Sequence, residues 1–398
     1  MKGTSPSPPR GFRPLDPEVV RDPHATFAKL RASCPVAHSD ELGGFWLLTR
    51  YEDVVRVATD TSTFISGVQN VIPKLPDTGK RGPLHLDPPE HTVYRRALNP
   101  AFAPQRVAAC EGRIREVAEE LVAPLVDAGR GDAVRSLTAV LPIRALCVLL
   151  GIEDDLADAF TESTEAFVRA IHEDDREVIP ERSYRIYDLA RTAIAERRAS
   201  GVATDDALDA LLRIELNGAP ISDEAAVGTL RQVIVAAHVG PALAMASAIK
   251  HLAEDRDLQG ELRRDPAKIA AAVDELLRLH TPNTGFARTP TCPVEIGGQR
   301  IDVDEPIAVN YAAANRDPAM FPDPDALQLD RDPARNLAFG RGIHKCLGKD
   351  LALVQMRVAL EVLLAHTSTF ELETPAEHLP YAPFPEHGPM ALPLRLGA

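Results

Sequence analysis

The spacing of apolar residues along the chain predicts a mainly helical protein. From about residue 105 onward, apolar positions recur every three or four residues, which is the pattern of helices with one buried face. The fold class is therefore mainly α, and alternating residues around a Gly297-Gly298 turn add a small β region. The predicted helices cover residues 51–59, 105–128, 135–151, 155–172, 180–199, 206–216, 266–280 and 347–365, and the predicted strands fall in 45–49 and 291–309.

One further predicted helix differs from the others in length and composition. It follows Ser222, a good N-cap, and begins with Asp223 and Glu224, where negative charge suits the helix dipole. From there to about Leu252 it would span roughly 45 Å. Residues 233–248 are apolar on nearly every side, so we expect this helix to be buried.

The remaining segments predict loops within one domain. Pro-rich residues 1–20 predict an irregular arm, and the scattered Gly, Pro and Asp of 66–90 predict a long loop. Long loops in compact domains are usually functional or disordered. No internal repeat or low-complexity tract divides the chain, so residues 1–398 are expected to form a single domain.

Charge and composition exclude several classes of protein. A formal net charge of −14 argues against general affinity for nucleic acid or anionic lipid. An aromatic content of 5% makes a base-stacking role less plausible still. The N-terminal residues contain no apolar run, so no signal peptide, no membrane anchor and a cytoplasmic location are expected.

The cysteines predict reduced thiols rather than disulfides. They are odd in number, widely spaced, and none has the close spacing of a structural zinc site. Four are interpreted as small apolar residues or incidental thiols, and only the last lies in a distinctive segment. The five are Cys34, Cys110, Cys147, Cys292 and Cys346.

The most specific segment runs from Phe339 to Gly348 and reads Phe-Gly-Arg-Gly-Ile-His-Lys-Cys-Leu-Gly. Its two glycines, Gly340 and Gly342, would let the backbone approach a bulky flat group closely. Cys346 precedes a predicted helix, where outward-pointing amides and the helix dipole stabilise a thiolate. A Gly-rich turn around a buried cysteine is the simpler structural alternative.

This segment closely resembles the haem-binding signature of the cytochrome P450 family, Phe-Gly-x-Gly-x-His-x-Cys-x-Gly. The resemblance implies a helical prism around haem b, with Cys346 as the thiolate ligand of the iron. It also implies that Phe339 packs near the sulfur, that His344 reaches a haem propionate, and that Gly348 belongs to the binding loop.

A second segment resembles the family at His91-Thr92-Val93-Tyr94-Arg95. Residues four apart share one face of a helix, so His91 and Arg95 can address one carboxylate. By resemblance both bind haem propionate, and Arg288 is a third contact. A solvated surface pair is the alternative for His91 and Arg95 taken alone.

A third motif is assigned a structural role. Glu275 and Arg278 resemble the family's Glu-x-x-Arg, and Arg331 matches the second arginine of that network. Breaking it should cost folding or haem retention. The segment 315–325 also matches the family without gaps, and the whole resemblance extends from about residue 13 to the end. Asn336 departs from it, since many bacterial members have His there.

The long helix departs from the family at the point that matters for catalysis. Where the family has an acid followed by an alcohol, this chain has Val239 and Gly240, then Pro241. The missing pair normally organises protons for dioxygen cleavage. Pro241 has no amide hydrogen, which leaves the Ala237 carbonyl free, so we predict a bent, groove-like helix with Ala237 and Gly240 beside the reaction. His238 is interpreted as facing away.

Three mechanisms stay open on this sequence. A substrate hydroxyl, amine or carboxylate can complete the proton path in an ordinary monooxygenation. Hydrogen peroxide can serve directly as the oxidant. The third is an isomerisation, dehydration or coupling that does not activate dioxygen. A haem-binding sensor or carrier without turnover is the competing class of protein.

The resemblance also places a substrate pocket and a partner surface. The pocket residues are mostly apolar, so we expect a hydrophobic small molecule, by analogy in bacterial secondary metabolism. They are Val71, Ile72, Ile234, Ala237, Gly240, Phe286 and Phe384. A monomer served by ferredoxin and ferredoxin reductase is expected, and five basic residues could receive an acidic donor: Arg96, Arg113, Arg341, Lys345 and Lys349.

Overall fold

A computed structural model describes residues 11–74 and 81–397, and within these ranges the chain is mainly helical. The helices are α1 (Pro17–Arg21), α2 (Pro23–Ser33), α3 (Tyr51–Thr59), α4 (Glu90–Leu98), α5 (Pro104–Ala128), α6 (Leu141–Leu150), α7 (Asp154–His172), α8 (Val178–Ser200), α9 (Ala207–Leu212), α10 (Asp223–Glu254), α11 (Arg256–Arg264), α12 (Ile269–Leu279), α13 (Tyr311–Ala314) and α14 (Lys349–His366).

The strands are short and gather into small sheets. They are β1 (Val36–Ser39), β2 (Phe45–Leu48), β3 (Phe64–Ile65), β4 (Arg130–Asp132), β5 (Glu215–Leu216), β6 (Ala219–Pro220), β7 (Phe286–Pro290), β8 (Val294–Ile296), β9 (Gln299–Ile301), β10 (Ile307–Val309), β11 (Thr369–Leu372) and β12 (Pro393–Gly397). The largest sheet has the order β1-β2-β10-β7-β3, and β2 and β10 are its parallel pair. A second sheet has the order β11-β12-β4, while β5–β6 and β8–β9 are hairpins.

Local sequence explains where the long helices begin and end. The Ser222 hydroxyl accepts a hydrogen bond from the Ala225 amide at 3.2 Å, which caps α10 as predicted. Pro104 opens α5, and Gly129 closes it in the left-handed conformation that favours glycine. The predicted starts and ends of these helices are therefore close to the observed ones.

The long helix α10 crosses the largest hydrophobic core. It contacts α6, α7, α8, α12 and α14, while α5 and α14 pack side by side. By length and composition α10 could span a membrane, but 61% of its most apolar window is buried inside the protein. It is a core helix, and it continues through Pro241 without interruption.

The predicted fold class is confirmed, with local corrections. The irregular arm ends earlier than predicted, because residues from Pro17 onward are helical, and residues 1–10 lie outside the described part of the chain. Residues 206–216 divide into α9 and β5. The sequence pattern missed α2, α11 and the short strands β4, β11 and β12. Strands of three to five residues carry too little alternation to be recognised.

Candidate active site

The Cys346 loop is held by its own backbone. The Cys346 amide donates to the Phe339 carbonyl at 2.8 Å, and the Lys345 amide to the Gly342 carbonyl at 3.2 Å. The Gly348 amide donates to the Cys346 sulfur, and Gly348 is the N-cap of α14. The predicted placement of the cysteine at a helix start is therefore what the structure has.

The glycines of this loop serve packing against neighbouring protein. Gly340 and Gly342 have positive φ values of 69° and 76°. A Cβ at Gly342 would overlap the Ala58 carbonyl oxygen, and one at Gly340 would lie 3.2 Å from the Tyr311 hydroxyl. That they also let the backbone approach a flat group stays a prediction. They let the loop turn against α3 and Tyr311.

The Cys346 side chain faces an enclosed space. It is accessible to a water-sized sphere, yet desolvation by the surrounding protein raises the pKa of its thiol. The Gly348 amide, Arg95 and Lys345 act in the opposite direction and favour the thiolate. An accessible but desolvated sulfur is expected where the interior holds room for a large ligand.

Four basic side chains surround this space. His91 on α4 is 2% exposed, and its ring centroid lies 4.4 Å from that of His344. Arg288 on β7 is 4% exposed, and Arg95 lies within electrostatic range of the Cys346 sulfur. Within residues 11–74 and 81–397 no carboxylate forms a salt bridge with Arg95 or Arg288. Their charges therefore lack an ion-pair partner in the described protein.

Burial and the neighbouring positive charges lower the pKa values of the two histidines. Desolvation, followed by the charges of Arg288, His91 and Arg95, lowers the pKa of His344 to about 2. Desolvation and Arg95 lower the pKa of His91 to about 4, and its Nε2 is buried without a hydrogen-bond partner. An anionic group in this space would relieve all four side chains.

These residues fit haem. Cys346 offers one sulfur ligand, and the four basic groups suit the two propionates of a porphyrin. Among the described residues, no group of three or more His, Cys, Asp or Glu could hold a bare metal ion. A single protein ligand suits an iron that arrives inside an organic cofactor. Cys346 would hold the metal, and His91, Arg95, Arg288 and His344 would hold the propionates.

Two residues at this site were missed by the sequence analysis. The Ser66 hydroxyl lies 3.1 Å from His344 Nε2. The Asp87 carboxylate accepts a hydrogen bond from the Ser66 amide at 2.8 Å. Both lie in the predicted loop 66–90, where no local pattern marks them. Only the fold brings Ser66 to a histidine far along the chain.

The predicted structural network forms a closed set of contacts. One carboxylate oxygen of Glu275 accepts hydrogen bonds from Arg278 Nη2 at 2.7 Å and from Arg331 Nε at 3.0 Å. Its other oxygen receives Arg278 Nε at 2.8 Å. The remaining N–H groups of Arg278 donate to the carbonyls of Asn315, Pro324 and Ala326. That this network keeps the fold or the haem in place stays a prediction.

Asn336 is well accommodated where many family members have histidine. Its Oδ1 accepts from Asn315 Nδ2 and from the Ala338 amide, both at 2.9 Å. Its Nδ2 donates to the Asp274 carbonyl at 2.9 Å. Asn336 therefore ties the segment before the Cys346 loop to α12.

The opposite wall is the middle of α10. Ala236 is exposed although it lies in the core helix, and Ala237 and Gly240 are partly accessible. A Cβ at Gly240 would lie 3.7 Å from Asn283 Nδ2, an ordinary contact. His238 is 5% exposed, and desolvation lowers its pKa to about 4. The Ala139 backbone acts in the opposite direction and raises the pKa by a smaller amount. It is buried away from this accessible face, as predicted.

The predicted substrate residues divide into two groups. Val71 and Phe286 are partly accessible and form an isolated bridge with each other. Ile234 is completely buried in the largest core, and Ile72 and Phe384 belong to another hydrophobic cluster. Helix phase explains the case of Ile234, because the accessible side of α10 contains Ala236 and Gly240. The substrate role of all these residues stays a prediction.

The fold and the site define a haem-thiolate enzyme, and comparison with known proteins agrees. The model of the family "Cytochrome P450" matches residues 167–392. Mycinamicin IV hydroxylase/epoxidase of Micromonospora griseorubida is 34% identical over 356 residues, which cover 88% of this chain and 89% of that protein. Erythromycin C-12 hydroxylase of Saccharopolyspora erythraea is 32% identical over 347 residues, 84% of this chain and 85% of that one.

A solved structure extends the likeness to nearly the whole chain. The cytochrome P450 of the bacillaene polyketide synthase from Bacillus subtilis 168 superposes with a TM-score of 0.88 at 27% identity, covering 98% of this chain and 100% of that one. The chain belongs to the cytochrome P450 family. It is a haem b oxidoreductase similar to bacterial monooxygenases of secondary metabolism, a class that acts on small molecules and typically uses redox partners.

Proposed function

We propose that this P450 inserts one oxygen atom into a mostly hydrophobic small molecule, and that the substrate supplies the proton path. The observation that carries the proposal is the desolvated Cys346 sulfur beside four basic side chains, of which Arg95 and Arg288 form no salt bridge with a carboxylate of residues 11–74 and 81–397. When bound there, haem supplies the activation of dioxygen. The protein residues hold the cofactor, exclude water and orient the substrate.

The middle of α10 has few groups that could deliver a proton. Neither Val239 nor Gly240 carries a proton that it could give. Asn283 lies beside Gly240, and its amide can orient an oxygen atom by hydrogen bonding. A carboxamide does not titrate, so the proton must come through water or through a polar group of the substrate.

Two other mechanisms use the same site. Peroxide-dependent turnover is favoured by the absence of the acid and alcohol, because hydrogen peroxide brings its own protons. An isomerisation, dehydration or coupling would need no oxidant. A sensor or carrier would bind an organic ligand without converting it.

The first experiment compares oxidants on ligands selected by their shift of the Soret band. With ferredoxin, its reductase and isotopically labelled dioxygen, we expect one labelled oxygen atom in the product. Turnover with peroxide alone would favour the second mechanism, and product without label in either system would favour the third. If the ligands bind and are all recovered unchanged, the result would contradict the proposed catalytic activity and favour a sensor or carrier.

The second experiment rebuilds the missing pair with Gly240→Thr and Val239→Glu. The space beside Gly240 accepts a Cβ, so Gly240→Thr should fold. We expect more product per electron pair consumed, and Gly260→Thr at a partly exposed position of α11 serves as the helix control. Unchanged coupling in both variants would show that this helix does not limit proton delivery.

The remaining parts of the proposal concern partners and organisation. Arg96 and Lys345 are exposed and are proposed to receive an acidic ferredoxin, whereas Arg113 is paired with Glu116, Glu120 and Asp154. Two of the relatives are named mycinamicin IV hydroxylase/epoxidase and erythromycin C-12 hydroxylase, which supports a natural product as substrate. We also infer a cytoplasmic monomer with a single P450 domain.

A further inference from the structure

Asn283 is a polar side chain next to the accessible side of α10. A Cβ at Gly240 would lie 3.7 Å from the Nδ2 atom of Asn283, so the amide lies beside the position where the family has its alcohol. Gly240 shares this side of the helix with the exposed Ala236 and the partly accessible Ala237, and Asn283 is itself partly accessible. A molecule that binds against this side of α10 can therefore reach Asn283.

The protein does not use the amide of Asn283 for its own structure. Among the residues that the structure describes, this amide forms no hydrogen bond, and neither of its polar atoms is sealed in the interior. Asn315 shows the contrast, because its Nδ2 donates to Thr281 Oγ1 at 2.8 Å and to Asn336 Oδ1 at 2.9 Å. The Asn283 amide therefore offers both a donor and an acceptor to a ligand.

The backbone fixes the position of Asn283 before any ligand binds. Asn283 pairs with Glu386 in an isolated antiparallel bridge. The next residue, Thr284, donates to the Pro385 carbonyl from both its amide and its hydroxyl, each at 2.8 Å. A hydrogen-bonding group that is already in place loses little conformational entropy when a ligand binds.

We propose that Asn283 binds an oxygen atom of the substrate and holds it in the space beside Gly240. The inference rests on the proposed function and names the substrate class, which is an apolar molecule with a hydroxyl group close to the carbon that is oxidised. The Nδ2–H of Asn283 donates to the hydroxyl oxygen, so the O–H of the substrate can point towards the reaction. Asn283 is then a positioning residue, and the substrate hydroxyl replaces the alcohol that position 240 lacks.

The balance of protons gives this hydroxyl the role of a relay. Insertion of one oxygen atom from dioxygen takes up two electrons and two protons and releases one molecule of water. The electrons come from the redox partner, and the protons come from solvent. The hydroxyl passes on its proton and regains one from water, so it is unchanged in the product. Asn283 itself transfers no proton, because a carboxamide does not titrate.

The first test measures binding by the Soret shift of the haem-loaded protein. The probes are medium-ring alcohols from cyclooctanol to cyclododecanol, each with its ketone and its hydrocarbon. In Asn283→Leu, the affinities of the alcohol and the ketone relative to the hydrocarbon should fall about fivefold, as expected for one lost hydrogen bond. Asn99→Leu, at an exposed position after α4, should keep the wild-type ratios. Equal ratios in the wild type and Asn283→Leu would overturn the proposal.

Asn283→Asp separates a hydrogen bond from a packing role. A carboxylate accepts hydrogen bonds but donates none, so above the usual carboxyl pKa range this variant should lose affinity for the ketone and keep it for the alcohol. Because the Asn283 amide forms no hydrogen bond with the described residues, Asn283→Leu should melt at the wild-type temperature. A lowered melting temperature together with unchanged affinity ratios would show a structural role and overturn the proposal.

Turnover distinguishes this inference from the proposed function. With ferredoxin, its reductase and dioxygen, the alcohol should give more product per electron pair than the ketone, and Asn283→Leu should remove that difference. If the two probes couple equally while binding still depends on Asn283, the oxygen-binding site stands and the proton path through the substrate fails. If the alcohol couples better in the wild type and in Asn283→Leu alike, the proposed function stands and the role of Asn283 fails.

Discussion

The two sides of the active site differ in how a buried arginine is hydrogen-bonded. Arg278 and Arg231 are buried to nearly the same degree. Arg278, on the side of Cys346, uses all five N–H donors and shares the Glu275 carboxylate. Arg231, on the helix opposite, makes one hydrogen bond to Ser183 and stacks on aromatic rings. The first arginine has a partner for every donor, whereas the Nε of the second has none among the residues that the structure describes.

The difference separates what the family holds in common from what this member does. On the side of Cys346, the network of Glu275, Arg278 and Arg331 is satisfied by nearby backbone and side chains, whereas the groups that would hold the haem propionates still lack a counter-charge among the described residues. The helix opposite has Val239 and Gly240 in place of the acid and alcohol, and the Nε of its Arg231 has no hydrogen-bond partner in the described ranges. Chemistry and substrate choice are therefore expected to depend on residues that look poorly satisfied in the free protein.

The largest expected effect is a loss of stability on the side of Cys346. Glu275→Gln leaves Arg278 buried without its carboxylate, so the free energy of unfolding should fall by about 3–5 kcal/mol and haem content should drop. Glu261→Gln, which removes an exposed pair with Lys268, is the control and should change little. Urea unfolding of both variants measures this, and equal stability would show that the network is dispensable.

A pair of glycines tests the same comparison by packing. Gly342→Ala overlaps the Ala58 carbonyl and adds strain at positive φ, so it should cost about 3 kcal/mol. Gly298→Ala has a φ of 76° and open space, and it isolates the strain. Gly240→Ala, in the helix opposite, should stabilise by about 0.5–1 kcal/mol. Melting temperatures that rank the three differently would contradict the packing described.

Acid should weaken α10 through His238. The folded protein keeps His238 neutral down to about pH 4, while the unfolded chain binds the proton near the ordinary value of 6.5. The unfolded state therefore gains protons first as the pH falls, and stability is lost between about pH 6.5 and 4. The loss attributable to His238 is about 3 kcal/mol at pH 4.

Replacing His238 by Gln should flatten that part of the stability profile. His378→Gln, at an exposed position, should leave the profile unchanged. Denaturant midpoints across this pH range measure both variants. A His238→Gln protein with the wild-type slope would place the titration elsewhere, for example at His85, His91 or His387, whose pKa values are also lowered to about 4.

The smallest expected effect concerns electron delivery. Arg96→Gln should raise the KM for ferredoxin a few-fold at low ionic strength, and the difference should vanish at high salt because exposed charges are screened. Lys268→Gln, an exposed lysine in another part of the chain, is the control. Salt-independent turnover in the wild type would exclude a charge-steered donor.

The sequence predicted the side of Cys346 better than the helix opposite, for a physical reason. The residues Phe339–Gly348 and the pair Glu275 and Arg278 are local patterns whose spacing fixes their geometry. The contact of Ser66 with His344 and the surroundings of Arg231 join segments far apart in the chain. Ile234 was expected at the pocket and is buried in the core, because the phase of α10 is set by packing on several sides.

The most direct measurement is the absorption spectrum of the purified, reduced protein with carbon monoxide. A negatively charged sulfur from Cys346 on the iron predicts the maximum that is diagnostic of thiolate ligation, and Cys346→Ala should lose it. A maximum typical of a nitrogen ligand in the wild type, or an unchanged spectrum in Cys346→Ala, would contradict the assignment of this cysteine.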